Sequence, residues 1–227
     1  MSLRLGKLSP RRPVGLKDLD HYVALPTAPG KVDYLSAVSS FPMACNSEIG
    51  DCVVAGFIHQ NQVGSAETAE PYRYPGDAAG EQAYFSLTGG QDSGLVIASF
   101  LGTCRTQGVL GKKLEAYAPV HPRNQPTMRA ALWLFGNVKV GVQLPESAMQ
   151  QFQLGQPWEY VGDTDIIGGH DIEAVGYDGH CWYFVSWGRV QPPPGAGLPP
   201  TPTRPGRASA RSSSPLGAAP PDSISRA

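Results

Sequence analysis

A cysteine can act as a nucleophile where its thiolate is favoured and a base stands near. Two short stretches of this chain supply residue types for both. The first is Asn46-Ser47-Glu48-Ile49-Gly50-Asp51-Cys52, a polar turn that runs straight into Val53, Val54, Phe57 and Ile58. Those apolar residues recur with helical spacing, and Gly50-Asp51 before them is turn and cap chemistry. A buried helix is therefore predicted from Cys52 to about Gln62. A first-turn position sets free backbone N–H groups and the positive end of the helix dipole beside the sulfur, which favours a thiolate. The second stretch is Gly168-Gly169-His170. A glycine pair can deliver a histidine to the start of a strand beside a cleft. A neutral imidazole there takes the thiol proton or holds it as an ion pair. Two donors for a developing oxyanion are available, the Cys52 backbone N–H and the Asn46 side-chain amide. Each residue also has a plainer reading: a small buried thiol, a structural histidine, and an Asx-turn.

These residues need a scaffold, and the pattern predicts helices early and a sheet late. After the Cys52 helix, a second helix is expected from near Glu81 to Gly89-Gly90, with Tyr84 and Phe85 apolar. A third follows Asp92-Ser93, carries Leu95 to Leu101, and stops by Gly108. Leu114 to Ala118 reads as a strand. Thr127 reads as the N-cap of a helix through Phe135, stopped by Gly136-Asn137. Val138 to Leu144 alternates apolar and polar like a half-buried strand, closed by Pro145. Residues 146–168 read as loop. Residues 170–177 and 181–187 form a β-hairpin around Asp178-Gly179. The order implies α+β with segregated layers. His59 is expected on the surface of its helix and His180 in the solvated hairpin turn. Asp165 and Asp171 read as pocket charges or solvated carboxylates.

The division expected is an extended, proline-broken arm over 1–40, a domain over 41–190 and a disordered tail over 191–227. The tail is rich in Pro, Ala and Ser, and sets Arg204, Arg207, Arg211 and Arg226 against Asp222. The chain has 227 residues and a net charge of −1, with no long basic run, so nucleic-acid binding has no electrostatic support. No apolar run approaches the roughly 20 residues of a membrane span, and Met1 to Lys7 lacks the apolar core of a signal peptide. Cys45, Cys52, Cys104 and Cys181 are therefore expected as reduced thiols in a cytoplasm. No close cysteine pair supports a zinc site. Nothing in the sequence specifies an oligomeric state.

Asn46 to Cys52, Gly169-His170 with Ala174-Val175-Gly176-Tyr177-Asp178, and Ser186-Trp187-Gly188 resemble the papain-like cysteine peptidases in their usual order. The closer likeness is to a branch from bacteriophages and bacterial genomes, in which Asn-x-x-Leu-Gly-Asp-Cys precedes the central helix. Ile49 stands here for the leucine, and Leu5-Gly6-Lys7, Val32-Asp33-Tyr34 and the Trp133–Leu144 segment also look like that branch. The resemblance covers roughly residues 5–190. It implies a helical half with a central nucleophile helix and a barrel-like half. Cys52 would be the nucleophile and His170 the base, with Asn46 in the place of the family's oxyanion-hole glutamine. It further implies a peptide or amide substrate, no metal or organic cofactor, and a bacterial or phage-infected host cell.

Three departures stand out. The family's histidine-orienting asparagine is replaced by Val185, which leaves Ser186 as the orienter if the register shifts by one. The Cys52-to-His170 spacing is shorter than the roughly 130–150 residues of lysosomal-type members. The Pro/Ala/Arg/Ser run stands where more folded chain follows in the family, which suggests a truncation or a shifted reading frame. A cysteine hydrolase is the first expectation. The alternatives are a catalytically impaired binding or phage-associated protein, and a cell-wall amidase or endopeptidase.

Overall fold

The computed structural model describes residues 3–68, 70–162 and 165–191. Of the tail expected to be disordered over 191–227, Gln191 is instead buried and paired with Phe184 at the edge of the sheet, and the rest lies outside the described residues. Five helices and five strands are described, in an α+β arrangement. Helix α1 (Cys52–Glu67) is the central element. Cys52 to His59 are all buried, so the helix is surrounded rather than amphipathic. Helices α2 (Asp77–Thr88) and α3 (Ile97–Thr106) cover one side of it with Tyr84 and Phe100. Phe57 meets Phe100 edge-to-face at 5.5 Å.

The sheet covers the other side. Strand β3 (Ile166–Tyr177) is its axis. The short β1 (Val32–Asp33) and the longer β2 (Val138–Pro145) pair antiparallel along one edge of β3, and β4 (Trp182–Ser186) pairs along the other. Strand β5 (Arg189–Gln191) extends β4. Val63 of α1 packs with Val175 and Val185, locking the two halves together. No helix among the described residues is long and apolar enough to cross a membrane.

Several expectations change. Helix α1 runs past Gln62 to Glu67, and α2 starts at Asp77 rather than near Glu81. Helix α4 (Gln125–Phe135) is capped by Asn124, whose side chain accepts from the Thr127 N–H, with Pro126 in the first turn. Thr127 is thus inside the helix rather than its cap. Residues 114–118 form no strand; the Leu114 N–H is tied to the Cys104 carbonyl at the end of α3 instead. The stretch expected as loop contains helix α5 (Glu146–Gln153), which buries Ala148 and Phe152, an i, i+4 pair hidden among polar residues.

Candidate active site

The helical wall of the site is the turn before α1. Ala44 and Cys45 hold left-handed backbone (φ 54° and 67°), which folds the chain back so that Glu48 and Ile49 donate to the Cys45 carbonyl. Asp92 then fixes the turn, taking the Gly50 N–H at 2.9 Å and the Tyr84 hydroxyl at 2.7 Å. Asp51 occupies the N-cap position, yet its side chain makes no cap hydrogen bond. Its buried carboxylate has no hydrogen-bond partner, and burial pushes its pKa up to about 8, against the pull of the nearby Asn46 amide. Cys52 is the first helical residue and is 1% exposed.

The sheet wall is β3 with the end of β4. His170 is buried, and its ring stacks on Trp187 at 3.9 Å with 14° between planes. Trp187 itself holds φ 43°, a left-handed conformation that costs of order 1–3 kcal/mol in a non-glycine residue. His170 Nε2 lies 2.9 Å from Ser186 Oγ; in the tautomer with the proton on Nε2, that N–H donates to the hydroxyl and Nδ1 carries the lone pair. Nδ1 has no hydrogen-bond partner. Val185 points the other way, into the cluster with Val63 and Val175. Of the two residues, Ser186 is the one that contacts the His170 ring.

The thiol and the imidazole are not joined by a hydrogen bond in this form. The groups against the Cys52 sulfur are the backbone N–H of Asp171, next to His170, and that of Gly6. Burial pushes the Cys52 pKa up to about 12, and Asp171 adds to the rise, while those two N–H groups lower it by less. Burial also lowers the His170 pKa to about 3, with His59 contributing. The expected first-turn thiolate is thus disfavoured here: the N–H groups that favour it come from Asp171 in β3 and from Gly6, and exclusion of water outweighs them. Asn46 is buried, and its amide donates to the Ile49 carbonyl at 3.3 Å and the Arg4 carbonyl at 3.5 Å.

Behind β3 lies a charge cluster. Lys139 Nζ is 2.6 Å from Asp171 Oδ2, 2.5 Å from Glu173 Oε1, and donates to the Val53 carbonyl at 3.3 Å. Burial pushes both carboxyls up, and Lys139 pulls them back. Burial also opposes the ammonium, but the two acids outweigh it and hold its pKa above the ordinary lysine value. Gly56 of α1 faces this cluster; a Cβ there would sit 2.5 Å from Glu173 Oε1 and 2.7 Å from both Asp171 Oδ2 and Lys139 Nζ. Asp171 is therefore a buried ion-pair member rather than a solvated charge, whereas Asp165 is exposed. His59 is buried too, not superficial. Its Nε2 lies 2.8 Å from the Pro42 carbonyl, Phe41 meets its ring edge-on, and burial lowers its pKa to about 4. The polar positions of β2 gave the only sequence signal for the cluster, and they suggested solvent.

Neither a protein-family model nor a curated protein matches the chain. Among solved structures, it is similar to xylellain, a cysteine protease from Xylella fastidiosa. The TM-score is 0.61 at 15% identity, over 81% of this chain and 83% of that one. The fold is papain-like. At this identity the likeness speaks for the architecture alone, and the chemistry rests on the residues of this chain.

Proposed function

We propose that the protein is a cysteine hydrolase acting on a peptide or amide bond, with Cys52 as nucleophile, His170 as base and acid, and Ser186 as a positioning residue. The observation that carries this reading is the divided role of the His170 ring: one nitrogen is held by Ser186 and the other, unpartnered, is left to take a proton. In the reaction Cys52 Sγ attacks the carbonyl carbon as its proton passes to His170 Nδ1. The oxyanion is met by the Cys52 backbone N–H and the Asn46 amide. The C–N bond breaks as the amine leaves with the proton from His170, and a thioester remains. Water then attacks the thioester, giving a proton to His170. The C–S bond breaks, the acid is released, and the thiol is restored.

A peptide carrying an irreversible thiol-directed electrophile tests this, because even a rarely open site accumulates label. Cys52 is expected to be the labelled residue. Cys52→Ala abolishes the label, and His170→Ala slows it by roughly 100-fold or more. Equal labelling with and without His170 would instead mark the catalytically impaired binding protein. Peptide and peptidoglycan-fragment substrates, compared under the same conditions, separate a peptidase from a cell-wall amidase.

A further inference from the structure

The charge cluster behind β3 holds more than an ion pair requires. Lys139 of β2 stands opposite Glu173 of β3, and Asp171 lies two residues along on the same face. All three side chains are shut from water: Lys139 is 5% exposed, and Asp171 and Glu173 are 0% exposed. A lysine amine beside a carboxyl, with water excluded and a second carboxyl in reach, has the parts of an amide condensation.

The two acids meet the nitrogen differently. Lys139 Nζ donates to Glu173 Oε1 at 2.5 Å and to the Val53 carbonyl at 3.3 Å. Asp171 Oδ2 lies 2.6 Å from the same nitrogen, yet neither Asp171 oxygen is held in a hydrogen bond. The remaining direction on Nζ thus faces the Asp171 carboxyl, and no other donor competes for that carboxyl. Glu173 Oε2 is also unpartnered, which leaves an oxygen free to take up and return a proton. Gly56 closes the site from α1 with backbone alone. A Cβ there would come 2.5 Å from Glu173 Oε1 and 2.7 Å from both Asp171 Oδ2 and Lys139 Nζ, so no helix side chain separates the three groups. Condensation would also remove two buried charges, whose desolvation is costly.

We propose that Lys139 and Asp171 form an intramolecular isopeptide bond, with Glu173 as the proton carrier. The ion pair described above is the state from which the bond forms. One proton passes from the Lys139 ammonium to the Asp171 carboxylate, giving an amine and an acid with no net change of charge. Nζ attacks Asp171 Cγ, and the Nζ–Cγ bond forms. A proton leaves Nζ by way of Glu173 and reaches the departing hydroxyl. The Cγ–O bond breaks, and one water is released. A secondary amide remains, Glu173 ends as it began, and no further reactant enters the balance. The link closes the chain from 139 to 171 into a loop, so β2 and β3 stay joined when the chain unfolds. It lies on the face of β3 opposite His170 and does not depend on the hydrolase reading.

Mass spectrometry of the purified full chain, unfolded and reduced, reads the bond directly. The wild-type chain is expected to be lighter than its sequence mass by one water. After cleavage at Glu146 and Glu159, the peptides that carry Lys139 and Asp171 should remain joined, and fragmentation should place the link at those two side chains. Lys139→Arg keeps the charge, has no amine to condense and should show the full mass. In protein sampled over time after synthesis, Glu173→Gln should form the bond roughly 100-fold more slowly. A wild-type chain still at full mass after prolonged incubation of the folded protein would overturn the proposal and leave a plain ion pair. A lost water without joined peptides would overturn it too, because a succinimide at Asp178-Gly179 has the same mass. A link that maps to Glu173 would overturn the choice of Asp171, and an unslowed Glu173→Gln would overturn the proton carrier. The wild-type measurement decides for or against the bond even where a variant does not fold.

Discussion

His170 and Asp171 are adjacent in β3 and face opposite sides of the sheet. Both are buried, and burial disfavours the charged form of each. Asp171 looks toward α1 and meets the Lys139 ammonium, so its charge has a partner. His170 looks toward Trp187 and Ser186, which offer a ring face and a hydroxyl but no charge. The same strand thus carries a fastening on one face and the proposed proton-transfer group on the other. Substitutions behind the strand should therefore act on folding, and those in front on reactivity.

Lys139→Met is the strongest challenge to that division. It leaves Asp171 and Glu173 buried without a counter-charge and is expected to cost about 3–5 kcal/mol in urea unfolding. A loss under about 1 kcal/mol would mean the cluster does not fasten the helix to the sheet. Gly56→Ala pushes a methyl into the same cluster and is expected to cost about 1–3 kcal/mol by the same measurement.

The next effect is one of pH. His59 and His170 have lowered pKa values in the folded chain, so the unfolded chain binds more protons below about 6.5. Their contribution to stability is complete above about 6.5 and is lost as pH falls toward 4. The raised carboxyls of Asp51, Asp171 and Glu173 act in the opposite sense over this range, so the test is a difference: from pH 7 to 4 the Tm of His59→Gln should fall less, or rise more, than that of the wild-type chain. Equal slopes would place His59 in water.

The smallest effect on folding belongs to the front face. Ser186→Ala removes one hydrogen bond worth about 1 kcal/mol. It should slow Cys52 labelling by an irreversible peptide electrophile roughly tenfold while shifting the urea midpoint little. A large loss of stability with unchanged labelling would reverse the roles of the two faces.

How much of this was legible in the sequence follows the range of the interactions. The turn into α1 and the Asp178-Gly179 hairpin were readable because their signals are local. Asp178 itself gathers the His180 and Cys181 N–H groups. Buried His59 was not, because Pro42, its partner, is 17 residues away. Lys139 read as a solvent-facing strand residue because Glu173, 34 positions on, is what draws it inward. Ser186 was readable only as an alternative to Val185. The hairpin register, which turns Val185 to the core, was needed to choose between them. Leu5-Gly6-Lys7 was readable only as a likeness, since the approach of Gly6 to Gly50, a glycine facing a glycine, leaves no periodic mark.

The pH profile of Cys52 alkylation in a Gly6→Ala chain, whose added methyl would clash with the Gly50 carbonyl oxygen and so open the buried thiol to water, with and without His170→Ala, tests the proposed nucleophile most directly. With the residues around Gly6 displaced by that clash and His170 present, Cys52 should titrate well below the free-cysteine value of about 8.5. With His170→Ala added, the midpoint should return to that value or above it. Superimposable profiles in the two chains would contradict the pairing of Cys52 with His170.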